Sequence, residues 1–411
     1  MAATGREFFT AKTVAEALAG FRPAHRTQIE IVTLDEAAGR VPARDLLAAE
    51  ALPGFDRSAV DGYAVRAQDT FGASESIPAY LSLAGNVAMG GPAEVALPDH
   101  GAVAIPTGGA LPDGADAVVM IEYTQEAMAG TIEVVRPVAP GDGIVRADED
   151  VVPGAIAVRA GAPLRAQDVA MLAALGITEV AVHAPPAVAI LATGDELIAP
   201  GAGPVGPGQV RDALSSSVGA LVREAGGRPA PPRIVRDDPG ALLAALADAL
   251  AHSDVVVICA GSSVGARDET AAAVAAIPDA EIWCHGLAIK PGKPTLLASA
   301  GGVPIIGLPG NPRSALVVFR LVGVPLVRRA GGWTAEHQAA STQRRLSRDL
   351  PSAAGRLDVV QARLSGQEEV EPIFGPSAVL SVLTAADGYV IVPDDANGLP
   401  AGETVEVFLY R

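Results

Sequence analysis

Hydrophobic and polar positions follow two patterns along the central part of the chain. Continuous apolar runs that predict buried strands, such as Ala187–Leu191 and Asp254–Cys259, alternate with stretches whose apolar residues recur every three or four positions, such as Leu214–Ala225 and Pro239–Ala251. Strands that alternate with helices are typical of a parallel sheet covered by helices on both faces. Residues 184–332 therefore predict a three-layer α/β/α domain.

Shorter β-type runs occupy residues 51–141, where Gly and Pro turns separate them, so this region predicts a β-rich lobe. The chain returns to β-type runs after Gly332, including one at Val379–Leu383. Residues 338–411 therefore predict a small barrel or sandwich.

The two remaining segments, residues 1–50 and 142–183, combine both patterns. Apolar spacing predicts a helix at Leu34–Ala49, and β-type runs predict strands at Gln28–Val32 and Glu179–His183. These segments are expected to be mixed in structure.

Composition restricts the function. The formal charge is −17, so the chain would repel phosphates and is a poor candidate for nucleic-acid binding. The uncharged stretch Pro294–Pro312 contains four prolines and four glycines, which predicts strands and turns rather than a membrane span. No signal-peptide pattern opens the chain, and its two cysteines lie in apolar surroundings. We expect a cytoplasmic protein without a membrane or nucleic-acid partner.

Two glycine-rich segments match known motifs. Gly201–Gly206 matches G-x-G-x-x-G, but prolines crowd it, so we interpret it as a surface loop. Gly261–Gly265 matches G-x-S-x-G after a predicted strand, as in a hydrolase with Ser263 as nucleophile. The HGGG-type oxyanion segment is missing and the next helix is predicted only from Thr270–Ile277. This favours an anion-binding loop at the end of a parallel strand.

Lysine is rare in this chain. Of 30 basic residues three are lysines, and two of these, Lys290 and Lys293, fall in the turn Ile289–Pro294. A compact, flexible ammonium group suits contact with a phosphate as a point charge. The alternative is a solvated turn.

Acidic side chains follow several predicted strands of the central domain. Glu196 and Asp237 each come shortly after a strand, and Asp268 follows the glycine-rich loop. Ligands bind at the carboxyl edge of such sheets, and carboxylates beside lysines suit a phosphate–Mg²⁺ site. The alternative is helix capping, which is the role expected of Asp238.

Five motifs in this order resemble the MoeA family, the molybdopterin molybdenumtransferases, which includes the gephyrin E domain. The resemblance extends over nearly the whole chain. The motifs are Pro53–Val65, Pro106–Asp116, Ala192–Leu197, Ile289–Pro294 and Gly307–Pro312.

The resemblance implies a multidomain α/β protein with four domains. Residues 1–50 and 142–183 would form an elongated domain I, into which residues 51–141 are inserted as the β-rich domain II. Residues 184–332 would form a MogA-like molybdopterin-binding domain III, and residues 338–411 a C-terminal β-barrel, domain IV. It also implies a homodimer whose active cleft lies between domain III of one subunit and the lobe of the other. A MogA-type adenylyltransferase and molybdoenzymes are implied as candidate partners.

The implied reaction is the Mg²⁺-dependent insertion of molybdate into adenylylated molybdopterin, with release of AMP. By matching position, the catalytic residues would be Asp61, Thr107, Asp150, Glu196, Asp237, Asp268 and Lys290, of which Glu196, Asp237 and Asp268 would hold the metal. The molybdopterin-binding residues would be Gly261, Ser262, Ser263, Gly265, Lys290, Lys293, Pro309, Asn311 and Pro312.

Three departures from the family pattern leave open a catalytically weak relative that binds the pterin or acts as a scaffold. Ala260 stands in place of a glycine and would be strained if the backbone there requires positive φ. Leu214 stands in place of a polar amide. Arg313, beside the predicted pocket, either adds an anion contact or points to solvent.

Overall fold

The computed structural model describes residues 11–260, 264–334 and 339–410, and for residues 264–268 the backbone alone. Within these residues, none of the helices has the length and apolar character that crossing a membrane requires.

Segments far apart in sequence pair with each other near the N-terminus. Three antiparallel pairs bring residues 29–58 against residues 144–183, so the chain between these two segments forms an insertion. The pairs are Ile29–Thr33 with Glu179–His183, Leu46–Leu47 with Ile156–Val158, and Arg57–Ser58 with Ile144–Val145. The helices of this region are Leu34–Ala37 and Ala166–Ala174, whereas Val14 and Ala17 of the helix Val14–Gly20 pack into a hydrophobic cluster of the central sheet.

The predicted helix Leu34–Ala49 is wrong beyond its first turn. The structure has a helix only at Leu34–Ala37, and the chain then turns at Gly39, whose φ is 79°. Pro42 follows and lies opposite Val182 in a β-bridge, which a continued helix would prevent. Apolar spacing alone did not reveal this competing pairing.

This insertion folds as a sheet of six mostly antiparallel strands, which agrees with the predicted β-type runs. Its core includes Val65, Leu81, Val119 and Ile132, all nearly inaccessible to solvent. The strands in spatial order are Ala117–Met120, Gly62–Val65, Gly101–Ile105, Ala79–Asn86, Thr131–Val134 and Thr124–Met128. Short 3₁₀ helices lie at Ala67–Thr70 and Ile121–Tyr123.

The central sheet has seven strands covered by helices on both faces, as predicted. Alternate residues of one strand pack into different cores, because Val257 belongs to one hydrophobic cluster and Ile258 to the other. The strands are Arg228–Pro229, Arg233–Val235, Ala187–Thr193, Val255–Cys259, Val303–Leu308, Leu296–Ala300 and Ala280–His285. The helices are Leu214–Glu224, Pro239–His252, Val264–Ala275, Pro312–Val318 and Val324–Ala330, the last two joined by a π-helical turn at Phe319–Gly323.

The sheet is mixed rather than wholly parallel. Leu296–Ala300 runs antiparallel to Val303–Leu308, because the two-residue link Gly301–Gly302 is too short for the crossover that a parallel pair needs.

The C-terminal strands close into a barrel of five, since Leu357–Ser365 pairs with strands on both sides of the series. The barrel strands in order are Leu357–Ser365, Glu369–Ile373, Ser341–Leu346, Thr404–Leu409 and Gly388–Val392. Ile289–Lys290 adds to the first of them in parallel. Small two-stranded pairs are Leu350–Pro351 with Gly398–Leu399, and Leu197–Ile198 with Val210–Arg211.

The predicted strand Val379–Leu383 is wrong. The structure has a one-turn helix at Ser381–Thr384 instead. Val382 is buried, whereas Val379 and Leu380 are exposed, so one apolar residue of the run reaches the core and a strand is not required.

Candidate functional site at the carboxyl edge of the central sheet

The carboxyl ends of four parallel strands meet at one edge of the central sheet. Ala192 lies opposite Cys259, Cys259 lies opposite Leu308, and Thr193 lies opposite Val235. The segments that leave these strands therefore emerge side by side. Open α/β sheets bind ligands at this edge.

Two of the turns at this edge are in direct contact. The Asp195 carboxylate accepts a hydrogen bond from the Asp237 backbone N–H at 3.4 Å. Glu196 is half-buried, and the backbone at Gly194 has φ 152°. A Cβ atom at Gly194 would lie 2.6 Å from Glu196 Oε2, so the glycine leaves the space in which this carboxylate sits. The structure thus brings Glu196 and Asp237 to the same edge.

The predicted metal ligands do not form a complete cage by themselves. Among the side chains that the structure describes, no three acidic, His or Cys residues converge on a point that could hold a metal ion. Asp268 lies in the helix Val264–Ala275, and its side chain is outside the described part of the structure. The donor chemistry at this edge, carboxylate oxygen, fits Mg²⁺, which is usually held by one or two carboxylates together with water and phosphate oxygens.

The glycine-rich loop is described only at its ends. Gly261, Ser262 and Ser263 lie outside the described residues. The helix that follows begins at Val264 and includes Gly265, so the predicted start at Thr270 is wrong. Four residues, 260–263, therefore separate the strand Val255–Cys259 from this helix.

Ala260 is buried and does not have positive φ, so the strain considered for it does not occur. Gly201–Gly206 is a loop whose backbone carbonyls accept hydrogen bonds from Arg211, as the loop interpretation predicted. Asp238 caps the helix Pro239–His252, because its carboxylate accepts the Ala241 N–H at 2.7 Å.

The lysine turn is held by a buried carboxylate of the barrel. Lys290 Nζ lies 3.3 Å from Asp358 Oδ2, and Arg356 Nε donates to Asp358 Oδ1 at 3.0 Å. Asp358 is 2% exposed, whereas the Lys290 side chain is 54% exposed. Two cations share one buried anion, so the group carries net positive charge at the surface. Lys293 is exposed three residues further on.

Arg356 and Asp358 are functional candidates that sequence reasoning missed. They lie more than 60 residues from the lysine turn in sequence, and no local pattern linked them to it. The parallel pairing of Ile289–Lys290 with Leu357–Asp358 is what brings the two segments together.

The lysine turn also packs beside the helix that follows the last parallel strand. A Cβ atom at Gly292 would overlap Val318 Cγ2 and contact Ser314 O, so only glycine allows this approach. The helix begins with Pro312 at its first position, and Asn311 is its N-cap residue, although the Asn311 side chain makes no capping hydrogen bond. Pro309, Asn311 and Pro312 therefore lie at the same edge as the lysine turn.

Two departures from the family pattern have defined places. Arg313 does not simply point to solvent: its backbone N–H donates to Ser377 O at 3.1 Å and burial lowers the pKa of its guanidinium. Arg313 Nε is buried without an acceptor among the described residues. Leu214 is buried in the hydrophobic cluster beneath its helix.

A second group of predicted residues lies in the β-rich lobe. Asp61 Oδ1 accepts hydrogen bonds from the Thr107 backbone N–H at 2.8 Å and from its hydroxyl at 3.1 Å. Both residues are exposed. Asp150 lies on an adjoining segment, where its backbone N–H donates to Leu52 O at 2.9 Å.

The adjoining segment is fixed by Asp56. Its carboxylate accepts the Ala147 N–H at 2.7 Å and an Arg146 N–H at 2.7 Å, and these bonds lower the pKa of Asp56. Among the described residues, no hydrogen bond or ion pair joins the lobe group to the sheet edge.

These observations define a multidomain α/β protein with a cationic, carboxylate-bearing ligand edge on its central sheet. The comparisons with known proteins are specific. Residues 12–176 match the MoeA N-terminal region (domain I and II), residues 189–329 match a probable molybdopterin-binding domain, and residues 343–410 match the MoeA C-terminal region (domain IV).

Individual relatives agree along nearly their full length. Molybdopterin molybdenumtransferase of Haemophilus influenzae is 33% identical and covers 93% of this chain and 94% of its own. Molybdopterin molybdenumtransferase 2 of Mycobacterium tuberculosis is 32% identical and covers 97% of each chain. A crystal structure of molybdopterin biosynthesis MoeA protein from Pyrococcus horikoshii OT3 superposes with a TM-score of 0.83 at 32% identity, covering 97% of this chain and 100% of that one.

The chain therefore belongs to the MoeA family, the molybdenum transferases of molybdenum cofactor biosynthesis. The resemblance and the fold class predicted from the sequence are confirmed.

Proposed function

We propose that this chain catalyses the Mg²⁺-dependent insertion of molybdate into adenylylated molybdopterin, with release of AMP. The observation that carries the proposal is the cationic group at the ligand edge, where Lys290 and Arg356 share the buried carboxylate of Asp358. Both substrates are anions, and preorganised cations with a dry, buried counter-charge stabilise anions better than mobile surface charges do.

The cations bind the oxyanions. Lys290 and Lys293 contact molybdate or phosphate oxygens as point charges, and Arg356 adds a planar donor beside them. Pro309, Asn311 and Pro312 shape the neighbouring wall at the helix start. The backbone N–H groups of Gly261, Ser262, Ser263 and Gly265 are proposed to bind the phosphate of the pterin.

Glu196, Asp237 and Asp268 would hold Mg²⁺ together with water and substrate phosphate oxygens. The metal supplies charge neutralisation on the phosphate and orients the adenylate. The proximity of Glu196 and Asp237 at one edge supports this assignment.

The lobe residues complete the site from a second subunit. Asp61, Thr107 and Asp150 make no hydrogen bond to the sheet edge of their own chain within the described residues, which supports a homodimer whose active cleft lies between subunits. The proposal keeps the four-domain boundaries at residues 1–50 with 142–183, 51–141, 184–332 and 338–411, a cytoplasmic location, and a MogA-type adenylyltransferase and molybdoenzymes as partners.

The test is an assay with adenylylated molybdopterin, molybdate and Mg²⁺ that follows AMP release and active cofactor together. We expect both products with the wild-type chain, and loss of both with Asp237→Ala and with Lys290→Ala. Asp248→Ala is the matched control, since Asp248 is an exposed carboxylate paired with Arg233 away from the edge.

Full activity in Asp237→Ala and Lys290→Ala would overturn the assigned roles. Tight pterin binding by the wild-type chain without AMP release would instead indicate a catalytically weak relative.

A further inference from the structure

A second cationic cleft lies between the N-terminal helix Val14–Gly20, the helix Val324–Ala330 and the barrel. Its volume is about 970 Å³, which is large enough for a small organic ligand. Five arginines line it, although the chain as a whole carries a formal charge of −17. They are Arg22, Arg26, Arg320, Arg328 and Arg329.

This cleft is separate from the site described above. Arg328 lies sixteen residues beyond Pro312 on one continuous helical run, which places it about 24 Å further along the axis. The lysine turn packs against Ser314 and Val318 of that run, whereas the cleft is lined by residues of the run from Arg320 to Arg329.

Few of the five charges are neutralised. Arg320 alone among them pairs with a carboxylate of the described chain, that of Glu224 at 3.2 Å. Arg22 and Arg26 donate to carbonyls of nearby backbone, and Arg329 donates to the carbonyls of residues 18 and 21.

Arg328 has the least favourable surroundings of the five arginines. Its guanidinium lies over the Trp333 ring at 4.6 Å, and its Nε is buried without an acceptor within the described residues. Burial lowers the pKa of Arg328, the charge of Arg320 lowers it further, and the nearby charge of Glu224 opposes these effects in part. Burial likewise lowers the pKa of Arg329, with added effects from Arg22 and Arg26. The guanidinium groups therefore repel one another.

The acidic residue that lines the described part of the cleft does not offset this charge. Glu406 accepts a hydrogen bond from the Ser341 hydroxyl at 2.6 Å and forms no ion pair with the described arginines. Like charges that are partly desolvated and unpaired destabilise a fold unless a bound anion compensates them. Guanidinium groups match phosphate oxygens in a two-pronged geometry, and Tyr389 and Phe408 also line the cleft.

We infer that the arginine cleft binds a small, multiply charged phosphate-bearing ligand. This inference does not rest on the proposed reaction, because binding can be measured without molybdopterin or turnover.

The test is calorimetric titration of the full chain with inorganic pyrophosphate, at low and at moderate salt. Arg22→Gln/Arg26→Gln removes two exposed charges that bond only to nearby backbone, so folding is retained. Arg328→Gln removes the half-buried charge. Arg233→Gln, at an exposed pair with Asp248, changes the net charge without touching the cleft.

We expect the wild-type chain and Arg233→Gln to bind pyrophosphate equally, and the double variant and Arg328→Gln each to bind about tenfold more weakly or worse. Equal affinity in all four proteins would overturn the inference, as would absence of binding to the wild-type chain at millimolar pyrophosphate. Sedimentation supplies a further check: if the wild-type chain does not bind and the arginine variants weaken self-association, carboxylates of a second copy occupy the cleft and the ligand inference is wrong.

Discussion

Replacing Asp358 by asparagine should loosen both the lysine turn and the barrel strand that holds it. The Asp358 carboxylate is 2% exposed and accepts hydrogen bonds from Lys290 and Arg356. Asparagine preserves the volume and one acceptor oxygen, but it removes the negative charge and directs an amide N–H₂ group toward one of the two cations. The variant therefore tests whether the buried charge positions Lys290.

The magnitude follows from the exposure of the partners. A hydrogen bond to a charged group contributes about 1.5–3 kcal/mol, and breaking a fully buried ion pair costs about 3–5 kcal/mol. The Lys290 and Arg356 side chains are 54% and 41% exposed, so water compensates part of the loss. We expect the free energy of unfolding to fall by about 1–3 kcal/mol. Loss of a fixed Lys290 should lower kcat/KM by about tenfold to a hundredfold.

Stability is measured by calorimetry and activity by the molybdate insertion assay, with Lys290→Ala and the double variant completing a cycle. If Asp358 acts by holding Lys290, the double variant loses little more activity than Lys290→Ala alone. Glu368→Gln is the matched control, since Glu368 pairs with Arg345 on the exposed face of the same barrel. Unchanged stability and activity in Asp358→Asn would refute the reasoning.

Three further predictions concern other parts of the fold. Gly332→Ala should lower the free energy of unfolding by about 2–4 kcal/mol, because φ is 86° and a Cβ would overlap His183. Gly402→Ala is the control: φ is 82° but the surrounding space is open, so the loss should be only about 1 kcal/mol. Equal losses for the two variants in urea unfolding would contradict this prediction. Asp56→Asn should lower the free energy of unfolding at pH 7, because the pKa of Asp56 is lowered in the folded chain. The difference in unfolding free energy from wild type should shrink as the pH falls below 3.8, the ordinary pKa of the carboxyl group, since the lowered pKa stabilises the fold only where the unfolded carboxyl is ionised. A constant difference down to pH 3 would contradict this prediction. Burial raises the pKa of Cys284 to about 11, so a thiol reagent at pH 8 should label it only after urea unfolding, and rapid labelling of the native chain would contradict its burial.

Local signals predicted the central domain well. The apolar runs there, such as Ala187–Leu191 and Asp254–Cys259, have the length of buried strands. Asp238 followed by Pro239 marks the start of a helix. These signals act over a few residues, so a single sequence contains them in full.

Two of the failures share a physical cause, which is pairing with segments that are distant in sequence. Leu34–Ala49 has helical spacing, but Pro42 pairs with Val182 and the chain extends. Arg356 and Asp358 became candidates only once the barrel strand lay beside the lysine turn. Pairings between residues that are far apart in sequence produce no regular spacing of apolar residues in either segment, so the hydrophobic pattern does not reveal them.

The glycines in the motifs that predicted the family are explained by backbone conformation and limited space rather than by catalytic chemistry. Gly194 and Gly292 have positive φ values of 152° and 127°, and a Cβ at Gly292 would also overlap Val318, while one at Gly194 would meet the Glu196 carboxylate. The side chains with candidate chemistry lie within three residues of these glycines: Glu196 follows Gly194, and Lys290 and Lys293 flank Gly292. Their positions at the sheet edge thus follow from close backbone approaches, which tolerate few substitutions. A variant that adds a methyl group at Gly292 would displace both lysines together, so it tests their placement while leaving every charge of the site in the chain.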